Sequence, residues 1–359
     1  MKKIILILIT LFLTTGCFNY LSLNDIAVVS LAHIDYQDNK YILTVEIREN
    51  EKDNPNASSI YTNQGESLDN AFENIGLTLN KFLYLVDVDT IILTENILNQ
   101  KLETTLDYIT RENNIGNNFN ILVSNDDIKD ITKIIKDKNK IIKDKNKIVG
   151  AYLKDTINND YNNTIDIKYN KFIKTYLSEY KDMILPYGKI ENKEFIINSA
   201  IIFNNNQDSI IINNDYIKIY NLLNNIIKYS LFKINYNEGN LIYRVKNVNT
   251  EYKYENNNIN ITINIKGNFN EIDNINLNKD NIEELISLTK DSIYNETSSF
   301  LNILKNNNID VLGFKKIIYN STKTKLDSIK ELNYNLDVKV ILDREEITFE
   351  NIGAKKNEI

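Results

Sequence analysis

The chain has no tryptophan, one cysteine, one histidine and two prolines in 359 residues. A lone cysteine excludes an intramolecular disulfide. One cysteine and one histidine cannot supply the three or four ligands of a Cys/His zinc site, so no metal site of that kind and no metal cofactor is expected. A catalytic imidazole would have to be His33, and a catalytic thiol Cys17. Cations are outnumbered, 42 against 49 acidic residues, for a net charge of −7. That balance lacks the basic stripe of a general nucleic-acid binder. No P-loop, GxGxxG or GxSxG pattern occurs. Beyond the N-terminus no apolar run approaches the length of a transmembrane helix, about 18 residues or more.

What is present suits a packed protein: 42% hydrophobic and 25% charged residues. At roughly 100–200 residues per domain, the length predicts two domains. Asparagine is used 61 times, and isoleucine and lysine are also abundant, whereas arginine occurs four times. These preferences follow AT-rich codons and read as genomic bias. Runs such as Asn204-Asn205-Asn206 and Asn306-Asn307-Asn308 read as loops.

Residues 1–16 have the layout of an export signal. Lys2 and Lys3 form a positive start, Ile4 to Leu13 an apolar stretch too short to span a bilayer, and Thr14-Thr15-Gly16 a small-residue end before Cys17. This is the layout of a bacterial lipoprotein signal, with cleavage between Gly16 and Cys17 and an acylated thiol on Cys17. Thr14 stands where such signals usually have leucine. Removal of Lys2 and Lys3 takes the net charge from −7 to −9. An acidic body gains nothing from anionic lipid, so acyl chains of the palmitate type on Cys17 would have to do the anchoring.

The remainder reads as two α+β halves, 17–190 and 191–355, with mixed or antiparallel sheets, packed helices and room for two subdomains in the first half. Residues 26–35 read as a buried strand, and Tyr41, Leu43, Val45 and Ile47 alternate as its hairpin partner. Residues 51–64 read as a polar loop. Leu68, Ala71, Phe72, Ile75 and Leu79 recur at helical spacing, Phe82 to Leu93 reads as strand, Leu98, Leu102, Leu106 and Ile109 form a helical face, and Phe119 to Val123 is strand. The heptapeptide at 134–140 is repeated unchanged at 141–147 and reads as a solvated helix or loop insertion. Helices are expected near 148–158 and 170–182, and Pro186 and Gly188 mark the boundary. The second half reads as a strand from Glu194 to Phe203 with a partner at 209–212, a helix through Ile219 to Ile226, strands at 231–236, 240–256 and 259–269, a long helix over 279–306, and a last strand through Tyr334 to Leu342. Its sheet is expected to be antiparallel and backed by the long helix.

The ordered set resembles the C-subunit lipoproteins of bacterial spore germinant receptors, the Ger(x)C family. Asp25-Ile26-Ala27-Val28-Val29-Ser30-Leu31-Ala32-His33-Ile34-Asp35 is similar to that family's first strand, E-L-A-[IV]-V-x-A-L-G-I-D. Tyr41 to Glu46 looks like its Y-x-[LV]-T-V-Q, Ser67 to Tyr84 like its first helix and following strand, and Leu106 to Arg111 like its D-F-[LI]-x-R. Asn198 to Phe203, Tyr220 to Ile227, Leu312-Gly313-Phe314 with Ile318-Tyr319, and Val338-Lys339-Val340 with Gly353 continue the series. The chain departs from the family pattern at Phe18-Asn19, where the family has Trp-Asp, at His33 for its glycine, at Leu85-Val86 for its Ser-His, and in having no C-terminal tryptophan.

The resemblance implies a non-enzymatic subunit needed for nutrient-triggered germination, anchored by lipid on Cys17 at the outer face of the inner spore membrane. Its partners would be two integral-membrane subunits, A and B. It implies no cofactor. The residue chemistry agrees. His33 lies in an apolar strand, where a structural role is the usual one, and the acidic pairs Asp126-Asp127, Glu283-Glu284 and Glu345-Glu346 read as solvated carboxylates. No catalytic residue is expected, and the ligand-binding residues are left unassigned. A solute-binding lipoprotein of a transporter is the alternative reading; that class normally has two α/β lobes joined by crossing strands.

Overall fold

The computed structural model describes residues 22–49, 57–141, 148–204, 208–237, 239–273, 275 and 281–343. A 3-10 turn over Leu23–Asp25 leads into β1 (Ile26–Gln37), which pairs antiparallel with β2 (Lys40–Arg48). The hairpin closes through Asp38 and Asn39, both at positive φ, as a two-residue turn matched to strand twist requires. β2 pairs antiparallel with β3 (Ser58–Gly65). The expected polar loop is thus a strand from Ser58 onward, and its earlier part, 51–56, lies outside the described residues. Serines, threonine and asparagine fit an edge position, where one face of the strand is wet.

Helix α1 (Leu68–Leu79) starts at Ser67, whose hydroxyl accepts from the Asn70 N–H at 3.1 Å, and stops at Asn80 in the left-handed region. The expected strand 82–93 is two strands, β4 (Phe82–Tyr84) and β5 (Thr90–Leu93), each parallel to a different stretch of β1. Helices α2 (Glu95–Gln100) and α3 (Leu102–Arg111) precede β6 (Asn120–Val123), parallel to β5. Helices α4 (Ile128–Ile141), α5 (Val149–Asn158) and α6 (Tyr169–Tyr176) follow. The first heptapeptide copy lies on α4, where Ile135 is buried, so this turn is core on one side and not simply a solvated insertion. The second copy beyond residue 141 lies outside the described residues.

Strands β7 (Met183–Glu191), β8 (Glu194–Phe203) and β9 (Ser209–Ile212) complete a nine-stranded mixed sheet of order β3-β2-β1-β5-β6-β7-β8-β9, with β4 beside β1. Pro186 and Gly188 lie inside β7 and not in a linker. The β7–β8 register slips between Tyr187 and Lys189, and a Cβ on Gly188 would come within 2.5 Å of the Phe195 ring. The glycine is there for a bulge and a close ring contact.

After α7 (Asn214–Leu223), a four-stranded sheet forms from β10 (Leu231–Tyr236), β11 (Gly239–Glu255), β12 (Asn258–Asp273) and β13 (Asn333–Leu342). Its first three strands are antiparallel as expected, but β13 runs parallel to β12. The intervening helices explain this: α8 (Ile282–Asn307) and α9 (Phe314–Thr322) carry the chain back across the sheet. Helix α8 buries Leu285, Thr289, Ile293, Thr297, Phe300, Leu301 and Leu304 along one stripe.

Two cores result. The larger joins one face of the nine-stranded sheet to the inner face of the four-stranded sheet. The smaller lies on the opposite face of the first sheet, where Leu31, Ile92 and Leu122 meet Ile131, Ile135, Val149 and Leu153 of α4 and α5. The fold is α+β with mixed sheets.

The asparagine excess has a structural use. Of eleven non-glycine residues at positive φ among the described residues, eight are asparagine, and one glycine joins them. Asparagine tolerates this region better than other side chains because its amide bonds locally. Asn192, Asn256 and Asn257 close hairpins, and Asn308 ends α8 and accepts from the Ile329 N–H at 2.9 Å.

Candidate functional site

Cys17 and Gly16, the expected lipidation and cleavage positions, lie outside the described residues. The nearest described structure is the 3-10 turn Leu23–Asp25, which leads into β1. That strand is hydrogen-bonded to β2, β4 and β5, so the chain enters the molecule at the middle of its largest sheet.

His33 projects from β1 toward α4 and is 6% exposed. Neither ring nitrogen has a hydrogen-bond partner. Burial pushes its pKa down to about 4, with Asp35 and then Asp127 acting the other way. A neutral, unpartnered imidazole on the face of Leu31 and Ile92 is placed for packing. Asp126 accepts from the Ile190 N–H at 2.5 Å, Asp127 from the Lys129 N–H at 2.8 Å at the head of α4, and Glu284 from the Tyr236 hydroxyl at 2.9 Å. These carboxylates hold backbone or neighbours and do not face one another as an acid–base pair. Glu345 and Glu346 lie outside the described residues. No group of three or more His, Cys, Asp or Glu side chains placed to hold a metal occurs among the described residues.

Three buried carboxylates escaped notice in the sequence. Glu46 is 1% exposed and accepts four hydrogen bonds: from Ser30 and Ser58 hydroxyls at 2.8 and 2.7 Å, and from Val149 and Gly150 N–H at 3.0 and 2.9 Å. It caps α5 from another strand, so spacing along the chain carries no trace of it. Asp89 bonds Arg48 at 2.6 Å and Lys154 at 2.8 Å. Asp310 accepts from the N–H groups of Gly313, Phe314 and Lys315 at the start of α9, and burial raises its pKa while those bonds oppose the rise. Asp182, also raised by burial, accepts from the Asp310 N–H at 2.5 Å and ties the segment before β7 to α9. All of these are structural joints.

Among the concavities of the described residues, two bear on function. One, of 810 Å³, lies between the end of α5, β8, α7 and β10. Tyr161 and Tyr229 line it with rings 5.8 Å apart, and Arg244 lies over the Tyr229 ring at 4.6 Å. Its Lys138 pairs with Glu194 at 3.5 Å, Lys218 with Asp215 at 2.7 Å, and the Asn163 amide donates to Asn214 at 3.0 Å. It offers amides and phenols beside the carboxylates of Asp155 and Glu194, the means to bind or position a polar ligand. The other, of 660 Å³, lies between α1, α3 and β4 and is mostly apolar. Its wall is the stacked pair Phe72 and Tyr108, with centroids 5.6 Å apart. Burial and the neighbouring Asp69 raise the Tyr108 pKa, so the phenol stays neutral.

A mixed nine-stranded sheet entered at an interior strand and a second sheet backed by one long helix define a two-sheet α+β protein. Known sequences narrow this. The family model for the spore germination protein N-terminal domain matches residues 19–190, and that for the spore germination B3/GerAC-like C-terminal region matches 198–346. The chain therefore belongs to the GerAC-like spore germination family, whose members are germinant receptor subunits. Among solved structures it is similar to the one titled "Crystal Structure of the GerBC protein", with a TM-score of 0.57 and 14% identity over 87% of this chain and 96% of that one. At that identity the likeness is one of fold, and it agrees with the α+β architecture. No curated protein matches the chain. Among the described residues no helix is long and apolar enough to cross a membrane.

Proposed function

We propose that the chain is the non-enzymatic, lipid-anchored C subunit of a spore germinant receptor, acting with integral-membrane A and B subunits in nutrient-triggered germination. Residues 1–16 are its signal peptide, Cys17 its acylated terminus, and 17–190 and 191–355 its two functional regions, held at the outer face of the inner spore membrane. One observation carries this reading: in a chain of the spore germination family, the single thiol stands directly after an export-type apolar stretch. Scarcity of other reactive groups supports a role without catalysis, since the one imidazole is buried, neutral and unpartnered. The transporter alternative would call for two lobes with crossing strands, whereas one sheet here runs continuously from β3 to β9.

The test is genetic and biochemical. Deleting the gene abolishes the loss of optical density when spores meet their germinant, and Cys17→Ala moves the protein from the membrane to the soluble fraction. Normal germination of the deletion strain, in a background without a paralogue, overturns the receptor role. Membrane retention of the Cys17→Ala protein overturns the lipid anchor.

A further inference from the structure

The apolar groove between α1, α3 and β4 stands apart from the rest of the surface. Leu77 is 71% exposed and Phe82 41%, the one on the last turn of α1 and the other at the start of β4. Both line the groove with Phe72, Leu83, Tyr108 and Ile115. Large apolar side chains gathered at one exposed concavity mark an interaction site more often than scattered ones do. The rim is acidic. Asp25, Asp69, Glu73 and Glu112 stand around it against the single cation Lys81. Among the described residues no lysine or arginine forms an ion pair with any of those four carboxylates. Tyr108 donates to Asp69 at 3.4 Å, and Glu112 accepts from the Asn114 side chain at 2.7 Å.

The groove's position is fixed by β1. Phe82 lies opposite Ile26 in the parallel β1–β4 ladder, about 5 Å away across one strand spacing. Asp25, on the groove rim, is eight residues from Cys17. A fully extended chain of that length reaches at most about 29 Å. With acyl chains on Cys17, the tether holds this groove within that distance of the bilayer surface, closer than any element farther along the chain is constrained to be.

We propose that this groove docks an apolar helix flanked by lysine or arginine, supplied by an integral-membrane partner at the bilayer surface. The proposal rests on the lipid-anchored reading of Cys17. Helix-in-groove recognition needs an apolar trough for the anchoring side chains, and the four rim carboxylates select basic flanks and oppose acidic ones. The same carboxylates disfavour the bilayer itself as occupant, because anionic headgroups repel them.

The experiment uses the full lipoprotein in membranes of sporulating cells, with photoreactive benzoylphenylalanine at position 77. The expected product is a covalent adduct to a multi-span membrane protein, mapped by peptide sequencing to an apolar segment bordered by Lys or Arg. Adducts to lipid alone mean that the bilayer fills the groove. Adducts to residues 18–21 of the same chain, or to a second copy, mean self-docking. Each of these outcomes, or no adduct at all, overturns the proposal. As a second measurement, Leu77→Arg lowers recovery of that partner from detergent extracts about tenfold, the effect of removing a central anchor, while the lipoprotein stays in the membrane fraction. Glu73→Lys lowers recovery in low salt and less so in high salt. Unchanged recovery with Leu77→Arg overturns the groove while leaving the lipid anchor standing. Release by Cys17→Ala is read separately, so the two readings fail independently.

Discussion

Ile91 and Ile92 are neighbours in β5, point to opposite faces, and are both buried, one in each core. Thr262 and Ile263 are neighbours in β12, and there only the isoleucine is buried. The nine-stranded sheet is covered on both faces, by α1, α2, α6 and α7 on one side and by α4 and α5 on the other. The four-stranded sheet is covered by α8 and α9 on one face and carries Glu251, Lys253, Lys266, Asp337 and Lys339 on the other. A sheet buried twice imposes unbroken apolar runs on its central strands, whereas a sheet buried once imposes alternation. Substitutions should therefore be tolerated at half the positions of the second sheet and at almost none in the central strands of the first.

Three measurements break or sharpen this contrast. The largest effect is expected for the adjacent pair in β5: Ile91→Ala and Ile92→Ala each cost about 2–5 kcal/mol in urea unfolding of the soluble mature chain. Ile263→Ala in β12 falls in the same range, while Thr262→Ala stays within about 0.5 kcal/mol. Equal costs at Thr262 and Ile263 would remove the distinction between the sheets. Next comes Glu46→Ala, which strands two N–H groups of α5 and two hydroxyls inside the protein, for a loss of about 3 kcal/mol. Glu251→Ala, on the open face of β11, changes the unfolding free energy by about 0.5 kcal/mol or less. Similar midpoints for the two variants would show that Glu46 is dispensable.

The smallest effect near neutral pH belongs to His33. Its folded pKa is about 4, below the ordinary value of 6.5, so the unfolded chain binds the extra proton between those values. Stability is fully present above about pH 6.5 and falls as pH drops toward 4, by up to about 3 kcal/mol from this group alone. His33→Leu should match the wild type at pH 7 and lose less stability at pH 4, read from urea midpoints at both values. Parallel pH profiles for the two proteins would mean that the imidazole is protonated in the folded state at some cost the protein readily meets.

The contrast also explains what could be read in advance. Strand β12 announces itself by Ile259, Ile261, Ile263 and Ile265, and β8 by its isoleucines from Phe195 to Phe203, because one-sided or complete burial leaves a pattern. Strand β3 leaves none: Ser58, Ser59, Thr62, Asn63 and Gln64 are strand only because β2 offers them a ladder. The break at 85–89 inside the expected strand is set by β1, whose two stretches take β4 and β5 separately. The parallel direction of β13 follows from the crossover through α8 and α9, and α9 is a nine-residue helix hidden behind lysines. An anchor at Cys17 was legible as an expectation from the layout of residues 1–17, which lie outside the described residues. The groove was not, since Leu77, Phe82 and Tyr108 come from three elements and meet only in the folded chain. Asparagine was legible as an excess but not as the residue that turns the chain.

The entry of the chain through β1 has a mechanical consequence. A pull on Ser22 that acts along β1, which begins four residues later at Ile26, loads the strand along its axis. The ladders to β2, β4 and β5 lie across that line, and so they share the load in shear instead of opening one bond at a time. A molecule held from this end would meet the pull with an interior strand bonded on both sides, so tension would reach the large sheet before it reached the second one.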